Sequence, residues 1–276
     1  MHSYMRPIVI SIISILTVTP FSGDALAKAK KSLTAKDDGR IEFPMQATLK
    51  GNKIDGIGTL KFPSKDKGKF PVVILAHGTK GIGYREDSWA GFLQDQGYAT
   101  FVLDYFKPRG TKGKGKNVPR PPEDVWGAIS ILSTHPRLDM NKVAVMGFSN
   151  GGSVTRSSAN LNPDKDTNGV LPKAFIMVYG GCHAEIKTQA GYNPALLYIA
   201  GGEDKLVKAS TCLKRKNDAR AKDIEVFVID GAYHLFDGDK SATFKHPKWG
   251  KIKVKADKEA TGKARQKVIS LLERVF

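Results

Sequence analysis

Three residues in this chain have the side chains and the local sequence of a nucleophile and its activating pair. Ser149 stands in the sequence GFSNG, Asp204 in GGED and His234 in GAYHLF. A serine hydroxyl is a weak nucleophile until a histidine takes its proton, and an aspartate beside that histidine holds the ring in the required tautomer. Together these residue types predict acyl transfer to water: attack on an ester carbonyl, followed by hydrolysis of the acylated serine.

The segment around Ser149 fits the pattern G-x-S-x-G in the context that this pattern requires. An apolar run at 143–146 predicts a buried strand before it, and the small residues after it predict a helix. The turn forces the serine into a strained conformation, so the residues two before and two after it must be small. The hydroxyl then lies at a helix N-terminus, where free N–H groups favour developing negative charge. A serine that only caps the helix is the alternative.

Asp204 and His234 also follow apolar runs, at 196–200 and 226–229. Taken alone, Asp204 is an ordinary acidic loop residue with Glu203 as a competitor, and a histidine beside aromatic residues is more often packed on the surface. The chain order favours the catalytic interpretation. Serine, then aspartate, then histidine, each after a late strand, is the order of the α/β-hydrolase triad.

A fourth segment, AHGTKG at 76–81, follows the first buried strand and is rich in small residues. We expect its backbone N–H groups to face the serine. One donor to the oxyanion is then the N–H of Asn150, and a second is that of Thr79. His77 is a rival candidate for the base, but it precedes the nucleophile in the chain, so we expect it to stabilise the turn.

The rest of the chain alternates strands and helices. Two antiparallel edge strands are predicted first, and apolar runs then alternate with helical spacing. This rhythm predicts an α/β protein with a mostly parallel sheet and helices on both faces, whose ligand crevice lies at the carboxyl ends of the strands. The predicted strands are 41–49, 57–62, 72–76, 100–103, 143–146, 175–178, 196–200 and 226–229. Polar segments at 107–120, 158–172 and 236–257 are expected to be surface excursions.

Five segments that carry these residues resemble the dienelactone hydrolase family of α/β-hydrolases. They are LAHG (75–78), VLDYF (102–106), GFSNGG (147–152), GGEDKLV (201–207) and GAYHLFD (231–237). The resemblance spans residues 40 to 276 and implies that Ser149, Asp204 and His234 are the triad. The founding members use a cysteine nucleophile and carry an acidic residue where this chain has Gly78. These departures favour a serine esterase mechanism on a carboxylic ester, with a lactone as the alternative substrate, and this chemistry requires no metal or organic cofactor.

The first residues have the layout of a secretory signal peptide. Arg6 precedes an apolar run at 8–18, and Ala25-Leu26-Ala27 is a small-residue cleavage site. The alternative is a membrane anchor, but the run is shorter than the roughly 20 residues that span a bilayer. We expect cleavage after Ala27, a basic flexible segment at 28–40, one domain at 41–276, and a secreted or periplasmic protein.

Export bears on the two cysteines, Cys182 and Cys212. In an oxidising compartment two cysteines commonly pair, so a disulfide is favoured. Two free buried thiols or a metal site are the alternatives. No CxxC or HxxxH spacing accompanies the cysteines, which disfavours a metal.

Composition excludes other classes. The chain has 276 residues, 41% of them hydrophobic, which is too many for a disordered protein. Two cysteines are too few for a small fold built on disulfides. The length suits one large domain or two small ones.

The net charge of +17 keeps a polyanionic partner under consideration. A peptidase or acyltransferase with the same triad is one alternative function, and a non-catalytic binder of an anionic polymer or membrane surface is another. The ordinary interpretation of the basic runs is a solvated surface, and no motif indicates specific nucleic-acid recognition. The basic residues are Lys112, Lys114 and Lys116; Lys205, Lys208, Lys214, Arg215, Lys216, Arg220 and Lys222; and Lys240, Lys245, Lys248, Lys251, Lys253 and Lys255.

The substrate is expected to be a small-molecule ester. Segments 105–120, 158–172 and 183–193 are the candidates for the pocket walls, with Phe106 and Tyr192 at its border. Cations in 107–120 favour an ester that carries a carboxylate. The oligomeric state is not indicated.

Overall fold

Strands and helices alternate along the described chain, and eight strands form one sheet. The computed structural model describes residues 29–49, 51–64, 68–111, 113, 118–160, 167–189, 191–218, 221, 223–247 and 249–276. The predicted signal peptide at 1–27 lies outside these residues. The strands are β1 (Gly39–Leu49), β2 (Asn52–Lys61), β3 (Phe70–Ala76), β4 (Ala99–Asp104), β5 (Leu138–Phe148), β6 (Ala174–Val178), β7 (Ala195–Gly201) and β8 (Ile224–Ile229).

The order of the strands confirms the predicted mostly parallel sheet. It is β1-β2-β4-β3-β5-β6-β7-β8. β1 pairs antiparallel with β2, and β2 pairs antiparallel with β4. From β4 to β8 every pairing is parallel. The carboxyl ends of β3, β5, β6, β7 and β8 therefore meet at one edge of the sheet, where a ligand crevice is expected.

Helices cover both faces of the sheet, as predicted. They are α1 (Tyr84–Asp95), α2 (Pro122–Leu132), α3 (Asn150–Asn160), α4 (Ala209–Leu213) and α5 (Lys258–Val275). Residues of β3 divide between two hydrophobic cores, because successive side chains of a strand point to opposite faces. Val72 and Ile74 pack with α2 and α3, whereas Val73 and Leu75 pack with α1 and α5.

The excursion at 236–257 contains a two-stranded ribbon that the sequence patterns did not predict. It consists of β9 (Ala242–His246) and β10 (Gly250–Val254). Ile252 and Val254 are buried, and the alternate lysines are exposed. Val254 forms a bridge with the backbone of His234, so this ribbon, 242–254, is attached beside the end of β8.

A disulfide joins Cys182 to Cys212, which confirms the predicted pairing. Cys182 follows β6, and Cys212 lies in α4, which follows β7. The bond therefore joins the loop after β6 to helix α4 at the carboxyl edge of the sheet. No helix in the described part of the chain is long and apolar enough to cross a bilayer.

Removal of this disulfide should destabilise the protein. The two cysteines are 30 residues apart, and closing a loop of that length contributes about 3–4 kcal/mol on the chain-entropy account. The variant Cys182→Ala/Cys212→Ala should lose about that free energy of unfolding in urea titrations. The wild type titrated with a reductant is the control. An unchanged free energy in both would contradict the prediction.

Candidate active site

Ser149 occupies a sharp turn between β5 and α3. Its backbone φ is 52°, in the left-handed region that residues other than glycine rarely adopt. The N–H of Ser149 donates to the carbonyl of Val178 at the end of β6, at 3.0 Å. The strained residue is thus held by the neighbouring strand, and its side chain is half-buried at the carboxyl edge.

Glycines around this turn let three backbone segments come into contact. A Cβ atom on Gly147 would lie 2.1 Å from the carbonyl oxygen of Gly151, and one on Gly151 would lie 2.1 Å from that of Ala76. A Cβ atom on Gly180 would lie 2.1 Å from the carbonyl oxygen of Ser149. The turn is therefore wedged between the ends of β3 and β6, which explains the small residues two before and two after the serine.

A continuous hydrogen-bond chain leads from Ser149 to a buried carboxylate. His234 Nε2 lies 3.0 Å from Ser149 Oγ, and His234 Nδ1 lies 2.7 Å from Asp204 Oδ2. The other carboxylate oxygen, Oδ1, accepts the N–H groups of Leu206 and Val207 at 2.8 and 2.9 Å. Asp204 and His234 are only 3% and 4% exposed, so water barely competes for these bonds.

Glu203, the competing acid, is exposed and lies outside this chain of hydrogen bonds. The structure thus brings together the three residues that the sequence patterns selected. The arrangement can remove a proton from Ser149 Oγ and place the resulting positive charge beside a carboxylate.

A second buried carboxylate, Asp237, supports the histidine through Tyr179. The tyrosine ring packs 4.8 Å from that of His234, and its hydroxyl donates to Asp237 Oδ1. Trp89 Nε1 donates to Asp237 Oδ2 at 2.8 Å. Burial raises the pKa of Asp237. The sequence patterns did not predict this network, although Asp237 follows His234 by three residues in the segment GAYHLFD (231–237).

Position 78 lies beside an ion pair. The N–H of Gly78 donates to Glu86 Oε1 at 3.3 Å, and Arg85 pairs with the same carboxylate at 2.7 Å. A Cβ atom on Gly78 would lie 2.7 Å from Arg85 Nη2. The Arg85 guanidinium also lies 5.3 Å from the ring centre of Phe148, next to the nucleophile. The guanidinium of Arg85 therefore fills the space that a side chain at position 78 would need.

Asn150, one of the expected oxyanion donors, begins α3 and is buried. Both the nitrogen and the oxygen of its side-chain amide form hydrogen bonds. Nδ2 donates to Tyr105 Oη at 3.1 Å and to the Pro119 carbonyl at 2.9 Å, and Oδ1 accepts Arg120 Nε at 2.8 Å. These bonds hold the residue after the nucleophile, and with it the direction of its backbone N–H.

Thr79, the other expected donor, is exposed in the loop after β3. Its carbonyl faces Gly113, where a Cβ atom would lie 1.9 Å away. The neighbouring His77 is buried, and its ring stacks on Tyr105 at 3.9 Å. His77 Nδ1 lies 2.8 Å from the Gly78 carbonyl. These are the contacts of a residue that holds the loop.

Of the two expected pocket residues, one lies near this loop and the other does not. Phe106 is buried, with its ring edge-on to His77 at 4.5 Å. Tyr192 precedes β7 and donates its hydroxyl to the carbonyl of Pro172, which precedes β6. It therefore lies at the amino edge of the sheet, and the structure does not bring it to Ser149.

Most of the chain matches one known protein family. The profile of the dienelactone hydrolase family matches residues 57–276. The chain belongs to the dienelactone hydrolase family. It is accordingly a carboxylic ester hydrolase with the α/β-hydrolase fold. A search of curated protein sequences found no match to the chain.

Solved structures with the same fold share little sequence with this member of the family. A dienelactone hydrolase-like promiscuous phosphotriesterase from metagenomic libraries is 20% identical, with a TM-score of 0.61 over 86% of this chain and 99% of the other. Est1E from Butyrivibrio proteoclasticus is 13% identical, with a TM-score of 0.57 over 84% and 99%. A thermophilic esterase from Thermogutta terrifontis is 13% identical, with a TM-score of 0.56 over 82% and 92%.

The close contact at Gly151 predicts a specific loss. In Gly151→Ala the new methyl group must displace the end of β3, which should cost about 1–3 kcal/mol of stability and sharply lower ester hydrolysis. Gly262→Ala is the matched control, since Gly262 is exposed on α5 and its Cβ would meet nothing within 4 Å. The free energy of unfolding of this control should rise by about 0.5–1 kcal/mol, because alanine is more stable than glycine inside a helix. Urea unfolding and hydrolysis rates measure both, and full activity in Gly151→Ala would refute the argument.

Proposed function

We propose that this protein hydrolyses a small-molecule carboxylic ester through an acyl-enzyme formed on Ser149. The single observation that carries the proposal is the hydrogen-bond chain from Ser149 Oγ through His234 to Asp204, at 3.0 and 2.7 Å. The strained turn that presents Ser149 is a second support.

The proposed reaction has two halves. In the first, His234 Nε2 takes the proton of Ser149 Oγ as the oxygen bonds to the ester carbonyl carbon, while Asp204 stabilises the imidazolium. The N–H groups of Asn150 and Thr79 bind the oxyanion. The C–O bond then breaks, and the alcohol leaves with the proton from His234. In the second half water attacks the acyl-enzyme, His234 takes its proton, and the carboxylic acid and free Ser149 Oγ–H are formed.

Ester cleavage is favoured over lactone cleavage by two departures from the founding members of the family. The nucleophile is Ser149 rather than a cysteine, and position 78 is a glycine. A peptidase or an acyltransferase would use the same groups, so a substrate panel that includes peptides and acceptor alcohols separates these reactions. The proposed steps need no metal or cofactor.

Export is part of the proposal. It rests on the N-terminal signal pattern with cleavage after Ala27. The disulfide between Cys182 and Cys212 is compatible with an oxidising compartment outside the cytoplasm.

Replacement of triad residues tests the mechanism. Ser149→Ala should lower the hydrolysis of 4-nitrophenyl butyrate about 10⁶-fold and abolish labelling by a fluorophosphonate. Asp204→Asn should lower kcat about 10⁴-fold, because the imidazole loses its tautomer partner. The control is Glu203→Gln, which changes the adjacent exposed carboxylate and should keep wild-type rates. Unchanged turnover in Ser149→Ala would remove the serine from the mechanism.

We propose in addition that the ribbon at 242–254 attaches the enzyme to an anionic surface. Lys245 lies directly opposite Lys251 in the register of β9 and β10. Like charges at directly opposed positions destabilise a strand pair, and an anionic surface would relieve this repulsion. Lys253 follows on the same face. Trp249, in the turn of the ribbon, is 44% exposed, which adds apolar area for a membrane interface.

Binding to vesicles tests the ribbon. Lys245→Gln/Lys251→Gln should weaken binding to phosphatidylserine-containing vesicles at least about tenfold, since each lysine near such a surface contributes about 1 kcal/mol. Lys36→Gln/Lys69→Gln removes the same charge from exposed positions elsewhere and should have a smaller effect. Equal weakening by the two pairs would assign the binding to net charge and contradict a ribbon site. Retention on heparin but not on vesicles would favour a polyanionic polymer, rather than a membrane, as the partner of the ribbon.

A further inference from the structure

Tyr105 follows β4 and is completely buried. In the sheet, β3 separates β4 from β5, the strand that leads to Ser149. The Tyr105 hydroxyl donates to the carbonyl of His77, just after β3, at 2.5 Å, and it accepts from Asn150 Nδ2 at 3.1 Å. The side chain therefore reaches past the end of β3 to the first residue of α3.

The two partners of this hydroxyl belong to the two segments that carry the expected oxyanion donors. Asn150 supplies one donor through its own N–H, and Thr79, which supplies the other, lies two residues after His77. A tyrosine hydroxyl can donate one hydrogen bond and accept another at the same time. A single oxygen atom thus connects the loop after β3 to the start of α3, which are the two sides of the expected oxyanion site.

The same two segments also touch directly, at Gly151. A Cβ atom there would lie 2.6 Å from the carbonyl oxygen of His77, the atom that accepts the Tyr105 hydroxyl. Contact sets how closely the two segments approach, whereas a hydrogen bond has a preferred direction and so restricts their relative orientation. The hydroxyl of Tyr105 is therefore placed to hold the angle between the two expected N–H donors.

Tyr105 is itself held through both its ring and its backbone. The ring stacks on that of His77 at 3.9 Å, with 4° between the planes, and the ring of Phe106 meets it edge-on at 4.8 Å. The carbonyl of Tyr105 accepts Arg109 Nη1 at 3.0 Å, and the same arginine forms a two-point ion pair with the buried Asp124 of α2. The hydroxyl therefore has a defined position, as a supporting group needs if it is to fix other groups.

Burial also keeps this hydroxyl protonated. It raises the pKa of Tyr105, so the donor to the His77 carbonyl is present throughout the pH range in which a histidine base works. The side chain of Asn150 uses its other hydrogen bonds on Pro119 and Arg120. The bridge thus belongs to a fully paired buried network, which restricts conformations.

We propose that Tyr105 is a positioning residue that sets the geometry of the oxyanion site by bridging its two sides. The oxyanion forms only as Ser149 Oγ bonds to the carbonyl carbon, so correctly oriented N–H donors stabilise the transition state more than the bound ester. The inference rests on the hydrolase activity proposed for Ser149 and on the donors expected at Asn150 and Thr79. It assigns Tyr105 no contact with the substrate.

Tyr105→Phe removes the bridge and keeps the ring. It should lower kcat/KM for 4-nitrophenyl butyrate about 10–100-fold, because a misplacement of about 1 Å in an active site costs up to about 10²-fold. Tyr198→Phe is the matched control, since Tyr198 is buried on β7 and its hydroxyl has no hydrogen-bond partner among the described residues. The control should keep wild-type rates. Equal rates in the two variants would refute the bridge.

Two ketones separate the oxyanion site from general structural damage. Trifluoromethyl butyl ketone adds to a serine nucleophile as a tetrahedral oxyanion, whereas methyl butyl ketone binds without forming this adduct. Tyr105→Phe should raise the Ki of the fluorinated ketone by the factor by which it lowers kcat/KM, and should leave the Ki of methyl butyl ketone unchanged. The acid limb of the pH profile of kcat/KM, which reports the protonation of His234, should not move. Equal loss of affinity for both ketones, or a shifted acid limb, would overturn the assignment to the oxyanion site.

Asn150→Ala tests the bridge from its other end, and does so even where Tyr105→Phe fails to fold. It deletes the partner amide and keeps the backbone N–H, so it should lower kcat/KM and the affinity for the fluorinated ketone together. Wild-type values of both would contradict the proposal. In the double variant the loss should be smaller than the product of the single losses, because both act partly through one hydrogen bond. Losses that multiply in full would show that the two side chains act independently and would overturn the bridge.

The outcomes separate this inference from the proposed function. If the wild type cleaves the ester and binds the fluorinated ketone more tightly than methyl butyl ketone, while Tyr105→Phe behaves like Tyr198→Phe, the bridge is refuted and the esterase stands. If the wild type neither cleaves the ester nor prefers the fluorinated ketone, the proposed function itself fails.

Discussion

The strained turn at Ser149 is the constraint on which the rest of the structure depends. A serine with φ of 52° is unfavourable in isolation and persists only where its surroundings hold it. Here β3 and β6 hold it from both sides through contacts that only glycines at positions 151 and 180 allow. The parallel sheet is therefore more than a scaffold for separate loops, because the strand ends that flank β5 determine the backbone conformation of Ser149 itself.

The same edge of the sheet keeps His234, the candidate base, in position by burial. Asp204 is satisfied by two backbone N–H groups as well as by His234, so its carboxylate has little freedom to turn away. Behind the histidine, Tyr179 and Trp89 both donate to Asp237. A buried polar network of this kind restricts conformations when all its members are paired, and it makes the position of the imidazole depend on α1, β6 and the loop after β8 together.

Sequence patterns predicted the parts of this arrangement that are local. Continuous apolar runs located the buried strands, and G-x-S-x-G located the strained turn of Ser149 because strand, turn and helix lie within a few residues. The chain order of Ser149, Asp204 and His234 predicted that the aspartate and the histidine lie beside the serine. The contacts of Asp237 could not be predicted in this way, because Trp89 and Asp237 are 148 residues apart in the chain. The position of Tyr192 could not be predicted either, because tertiary packing decides which edge of the sheet the long loop between β6 and β7 lies against. The ribbon at 242–254 was missed because its polar composition indicated a surface excursion, although Lys251, Ile252, Lys253 and Val254 alternate as in a half-buried strand.

The local packing at position 78 explains why this chain carries a glycine there. An acidic side chain at position 78 would place its Cβ against the guanidinium of Arg85. Here that space holds the guanidinium of Arg85, which pairs with the buried carboxylate of Glu86. A serine hydroxyl is far less acidic than a cysteine thiol, so it depends more on a histidine backed by a buried carboxylate. The pairing of Arg85 with Glu86 holds their opposite charges together, and Asp204 is the carboxylate that is hydrogen-bonded to His234.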